Sequence, residues 1–340
     1  MFDLPELVIG SFIIIWVFAF IVARLVDYVV NQMPASPLRQ LYADLLVRAK
    51  AKTRIISILA LYPAYFIFIR TFLTLKATIG VDAPYSWDTF FTNLDKTLHG
   101  GMLPWQWLYP LLSSGWATSA INIAYHLWFF IMFATLMWVL TASRPRELRV
   151  QYLIAFFLTW SIGGSLMAHV FASAGPVYYG RLGLSPDPYA PLMSHLHMLS
   201  KTFPVWALDI QERLWQEHIH GLDTLGGISA FPSMHNAQAV LMALLAWRLN
   251  KLAGVTMTAY AIVIAIGSVW LGWHYAVDGY ASFVLATICW AIAGKIAHHV
   301  MQSPSMRQLD AMQSALLDRP TAEASMDNSG RKIPGHVPLR

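Results

Sequence analysis

The chain has 340 residues, 57% hydrophobic and 12% charged, with mean hydropathy +0.51 and net charge +5. Soluble domains carry about twice that charge fraction, so a soluble globular protein is excluded and a multi-spanning membrane protein is expected. The basic excess lies in short loops and the tail, which argues against a nucleic-acid partner. The single cysteine, Cys289, sits in an apolar run, so no disulfide forms within the chain and a thiolate or zinc site is not expected.

The start carries Asp3 and Glu6 rather than a basic segment, so it is not read as a cleavable signal. A first span is expected over Val8 to Val30, followed by a loop with Arg39, Arg48, Lys50, Lys52 and Arg54. A second span covers Ile55 to Leu75, with Pro63 inside it. Trp87 to Leu112 is aromatic and amphipathic and reads as an interfacial helix or re-entrant turn. A third span runs from Ala117 to Leu140, and Arg144, Arg146 and Arg149 separate it from a fourth over Tyr152 to Ala172. In the long loop from Ser173 to Phe231, Trp206, Ile210 and Leu214 share one helical face, which suggests a helix lying on the membrane. The fifth span runs from Ser233 to Trp247, the sixth from Val255 to Trp273 and the seventh from Ala276 to Ile296. The expected fold is an all-α polytopic bundle of seven transmembrane helices, with residues 1–300 as the membrane domain and 301–340 as a mobile cytoplasmic tail that begins as a short helix up to Leu317.

The loops after spans one, three and five are the basic ones, so they are placed in the cytoplasm. The loops after spans two, four and six then face outward. Two motifs fall on that outer face: Phe231-Pro232-Ser233-Met234-His235 and Gly272-Trp273-His274-Tyr275-Ala276-Val277-Asp278. His274 and Asp278 are four apart and share a helix face. The carboxylate can accept from one ring nitrogen and leave the other free to attack an electrophile. Ser233 stands where a helix should start, and the N–H groups there bind phosphate. His235, in the first turn, can protonate a leaving oxygen.

The paired motifs resemble the second and third signatures of the type 2 phosphatidic acid phosphatase superfamily. The resemblance implies His235 as general acid, His274 as nucleophile, Asp278 as its orienting group and Ser233 as a phosphate contact. It implies metal-independent phosphoester transfer on a membrane lipid phosphate through a phosphohistidine, without a cofactor. Met234 stands where the phosphatases usually have Gly. The first signature, Lys, six residues, then Arg-Pro, is not found, because seven residues before Arg144-Pro145 stands Met137. A degenerate first motif is similar to the inositol phosphorylceramide synthase-like branch, in which an alcohol replaces water as acceptor. Arg181, with Tyr178 and Tyr179 in the turn after the fourth span, is the candidate to replace the missing cation and contact the substrate. The charge bias of the loops sets the site on the periplasmic or extracytoplasmic face, and a cell inner membrane is the expected location.

Other readings stay open. A polyprenyl-phosphate or phosphatidic acid phosphatase would use the same residues. From another class, the chain could be a haem-binding or transport bundle, with His126 and His169 on apolar spans. The pairs His195/His197 and His218/His220 lack partners at metal-ligand spacing, so no metal is expected.

Overall fold

The computed structural model describes residues 67–141, 146–221 and 227–304, with 306 and 308. The expected first span, the basic loop from Arg39 to Arg54, most of the second span, Arg144-Pro145 and the tail beyond 308 lie outside the described residues. The chain divides into two compact units, Met1–Gly294 and Lys295–Arg340. Ten long helices follow one another: α1 (67–77), α2 (Asp88–Leu98), α3 (Pro104–Leu112), α4 (Gly115–Thr141), α5 (Arg146–Thr159), α6 (Ala190–Ser200), α7 (Trp206–His220), α8 (Met234–Leu249), α9 (Lys251–Trp270) and α10 (Ala276–Gln302). Among the described residues the only β pairing is one bridge between Ile79 and Ala83. α5 continues through a π-helical stretch, Trp160–Met167, into a last turn at Ala168–Val170.

Four of these segments are long and apolar enough to cross a membrane: Gly115–Leu140, Arg146–Val170, Lys251–Trp270 and Ala276–Gln302. They coincide with the third, fourth, sixth and seventh expected spans. α8, expected as the fifth, has 16 residues. That is roughly 24 Å of helix against a hydrocarbon core of about 30 Å. Its length reflects its place. Nine of its residues are buried, so α8 is the central helix around which the spans pack. Ser233 caps its start by accepting from Asn236 N, and Asn250 both ends it and caps α9 by accepting from Ala253 N. A one-residue turn therefore sets α8 and α9 antiparallel.

The core joins α4, α5 and α8. Trp128, Tyr152, Phe156 and Leu241 are all buried. Gln238, in the middle of this apolar layer, donates to Tyr152 OH and accepts from Trp160 Nε1, so both ends of its amide are satisfied. The π-helical stretch carries Gly163 and Gly164, where an added Cβ would lie 2.6 Å from Leu285 and from Phe72. Met234 fills the same contact, its sulfur 3.2 Å from the Cβ position of Gly163. Outward faces of α4, α9 and α10 carry exposed Phe129, Phe130, Ile262, Phe283 and Ile288, a surface suited to hydrocarbon rather than water.

The aromatic stretch expected at the interface forms two helices, α2 and α3, joined at a turn through Gly100 and Gly101. The expected surface helix is α7. It exposes Trp206 and Ile210 and buries Ala207, Leu208 and Gln211.

Candidate active site

Both motifs lie at helix starts, and the chain ties them together. Ser233 N donates to the Asp278 carbonyl at 3.4 Å. The Ser282 hydroxyl bridges the Ser233 and Asp278 carbonyls. The α8 and α10 starts therefore sit side by side, and the His235 and His274 ring centroids are 6.2 Å apart. The end of the fourth span closes the site from another side. Ser173 O accepts from Ala230 N, Ser173 Oγ accepts from Phe231 N, and Val177 N donates to the Gly272 carbonyl. Gly175 has φ +101°, and a Cβ there would lie 2.6 Å from Trp273 O. Only glycine lets this loop approach the third motif so closely.

His274 Nδ1 lies 2.8 Å from the Ala230 carbonyl and 3.4 Å from Asp278 Oδ2. A carbonyl only accepts, so Nδ1 carries the hydrogen and Nε2 keeps its lone pair. The expected tautomer is thus held first by Ala230, with the Asp278 carboxylate as the second, longer partner. That same oxygen accepts from Tyr275 N. Burial pulls the His274 imidazole down to about 3; the Ala230 hydrogen bond opposes this and the Lys76 charge adds to it. The ring is therefore neutral near pH 7, the form that can attack phosphorus.

His235 sits in an aromatic box from α4. Its ring stacks on Tyr125 at 4.7 Å, and Trp128 and Phe129 close two further sides. Trp128 Nε1 donates to the His235 carbonyl and fixes the backbone of that turn. The Ser233 hydroxyl accepts from Asn236 N at 3.4 Å.

The outer-loop candidates have partners of their own, and Tyr179 reaches the third motif through Tyr189, whose ring lies 5.9 Å from that of Tyr275. Arg181 forms an ion pair with Glu212 and lies over the Trp215 ring. Tyr178 is buried, donates to the Gln211 carbonyl and stacks on Trp215. Tyr179 is buried edge-to-face against Tyr189. These three side chains join the outer turn to α6 and α7.

The cation whose field reaches the histidines is Lys76, at the end of α1. Sequence reasoning passed over it by requiring Arg-Pro. Lys76 is followed by six residues and then Ala83-Pro84, which is the spacing of the first signature with Ala in place of Arg. Thr78, in the same segment, is fixed by a 3.0 Å hydrogen bond to His169 Nε2.

Two buried carboxylates were also missed. Asp95 accepts from Ala276 N at 2.9 Å and Val277 N at 3.0 Å, capping the first turn of α10 from another helix. Asp88 accepts from Gly175 N, Ala174 N and Tyr275 OH. Burial pushes both carboxyls up, and these donors pull them back. Their seven-residue spacing puts them on one face of α2, a signal present in the sequence. Phe91 on that face stacks on Phe231 at 4.6 Å, so α2 braces both motifs.

The remaining histidines make local contacts. His126 Nδ1 pairs with the Asn122 carbonyl, His169 Nδ1 with Ser165 and His195 Nε2 with Ser113. Among the described residues no group of three or more His, Cys, Asp or Glu is placed to hold a metal ion.

A family model described as the PAP2 superfamily matches residues 89–292, which is 204 of the 340 residues. The match holds α2, both histidine motifs and most of α10. No curated protein and no solved structure matches the chain.

Proposed function

The chain belongs to the PAP2 superfamily, and on that premise we propose that it transfers the phosphoryl group of a membrane lipid phosphate through His274, with water or an alcohol as acceptor. The observation that carries this reading is the pairing of His235 and His274, 6.2 Å apart, with His274 Nδ1 tied to Ala230 and Nε2 free. In this mechanism the Nε2 lone pair attacks phosphorus in line. The phosphoester P–O bond breaks as His235 gives its proton to the leaving oxygen. The new charge on the His274 ring is shared with the Asp278 carboxylate 3.4 Å away. Water or alcohol then attacks phosphorus, His235 takes back a proton, and the N–P bond breaks.

Lys76 is assigned to the non-bridging oxygens because six residues separate it from Ala83-Pro84, the spacing of the first signature. Arg181, expected for that role, has its guanidinium engaged by Glu212. The reading needs no metal, since the helix starts of α8 and α10 and Lys76 supply the positive field. It sets the site on the extracytoplasmic face, where the charge bias of the loops puts both motifs. The degenerate first signature supports the alcohol-accepting, inositol phosphorylceramide synthase-like branch.

The test is turnover of a lipid phosphate by purified protein, with and without a candidate alcohol, for wild type and His274→Ala. Wild type should release phosphate or form the new phosphoester, and His274→Ala should lose at least 1000-fold, roughly the scale of removing a catalytic nucleophile. Near-normal turnover by a folded His274→Ala protein would contradict the mechanism.

A further inference from the structure

A cavity of about 930 Å³ runs between α8, α9 and the first turns of α10, beneath the turn that joins α2 to α3. Its walls are mostly apolar and include Val240, Leu244, Ala261, Ala265 and Phe283. α9 and α10 are membrane-spanning candidates, so this groove lies within the hydrocarbon layer they cross. At its upper end Tyr280 donates to His99 Nε2 at 2.8 Å, since His99 Nδ1 already donates to the Asp95 carbonyl.

Asn236 is one of several polar side chains in the lining, with His99, Thr258, Ser268 and Tyr280. It stands next to His235 in the chain and is 4% exposed. The Ser268 hydroxyl donates to the Ala265 carbonyl, so its oxygen accepts from Asn236 Nδ2 at 3.2 Å. That fixes the orientation of the amide. Asn236 Oδ1 is then left without a hydrogen-bond partner, and buried acceptors of this kind are rarely left unpaired.

We propose that the groove holds the hydrocarbon chain of the substrate lipid, and that Asn236 Oδ1 accepts from a hydroxyl or amide N–H where the chain meets the polar end. The inference rests on the phosphoester reading above and names the substrate class for that site. Asn236, Ala276 and Gly279 line the groove and stand at the same two helix starts as His235 and Asp278. A chain lying here delivers its head to the paired histidines. Another helix fits less well, because its backbone N–H groups are already used within the helix and none is left for Asn236.

The test uses the full-length protein in phosphatidylcholine vesicles and two synthetic lipid phosphates of equal chain length. One joins the chain through an amide and the other through an ester, and both carry a photoreactive diazirine at the chain end. Labelling should map to peptides of α8 and α9. It should fall at least five-fold in the groove-filling variants Ala261→Phe and Ala265→Phe, and stay unchanged in Ile288→Phe on the exposed face of α10. Wild type should favour the amide lipid by roughly 5- to 100-fold in kcat/KM, and Asn236→Leu should remove the preference. The preference is a ratio on one preparation, so partial misfolding cancels. Labels spread evenly over the lipid-facing helices, labelling that survives groove filling, or a preference unchanged in Asn236→Leu would overturn the proposal. Labelling needs no turnover. Labels in the groove without cleavage would therefore leave the groove standing and sink the phosphoester reading, whereas cleavage with labels elsewhere would do the reverse.

Discussion

The positive charge at the site separates two lysine and arginine roles that look alike in sequence. Arg181 was chosen for its Gly- and Pro-bounded turn, and hydropathy locates loops but not side-chain partners. Glu212, which takes its guanidinium, lies 31 residues away on α7. Lys76 has the spacing of the first signature but is followed by Ala83-Pro84 rather than Arg-Pro. The placement of Ser233, His235, His274 and Asp278 at two helix starts was legible because helix starts and i,i+4 spacing are local features. The Ala230 carbonyl was not, because a backbone acceptor leaves no trace in residue type. Lys76→Ala should lower kcat/KM on a lipid phosphate by about 30- to 1000-fold, the range for removing one charge-assisted contact to a transferring phosphoryl group. Arg181→Ala should stay within a few-fold, since an ion pair this exposed contributes about 0–1 kcal/mol. Steady-state kinetics on both variants decides it, and a larger loss at Arg181 than at Lys76 would return the role to Arg181.

At the scale of elements, α2 carries an unexpected share of the site. It was read as part of an interfacial segment because Trp87, Trp105, Trp107 and Tyr109 make 87–112 aromatic, and nothing in a hydropathy pattern says which side of such a helix faces protein. Its buried face holds Asp88, Phe91 and Asp95, and those groups bind the third motif at Tyr275, Ala276 and Val277. Asp95→Asn keeps the size but leaves one acceptor oxygen for two N–H groups. Hydrogen bonds to a charged group contribute about 1.5–3 kcal/mol, so the variant should lose several degrees in apparent Tm. Because the α10 start carries Asp278, kcat should also fall about ten-fold or more, with a smaller change in KM. Unchanged Tm and kcat would show that this cap does not hold the third motif. The third, fourth, sixth and seventh expected spans match helices long and apolar enough to cross a membrane, with ends agreeing to within six residues, because long apolar runs are a local feature of the sequence. α8, expected as the fifth span, has 16 residues and is shorter than the four helices long and apolar enough to cross a membrane.

For the whole molecule, the architecture explains how water-poor surroundings and phosphate chemistry coexist. The long apolar helices present apolar faces outward, while buried hydrogen bonds fasten α2 over the start of α10, α7 over the end of α9, and the loop after the fourth expected span to α2. The two histidines lie beneath that cover, with His274 held neutral by burial. The central claim is that His274 carries the phosphoryl group in mid-reaction. The direct measurement is a rapid-quench experiment: purified protein is mixed with a lipid labelled in its phosphoryl group, quenched in alkali, digested and mapped by mass spectrometry. The account predicts alkali-stable, acid-labile label on the peptide containing His274, at Nε2, appearing in the first turnover and absent from His274→Ala. Label on another residue, or steady turnover by the wild type with no trapped phosphoenzyme under any quench time, would contradict it.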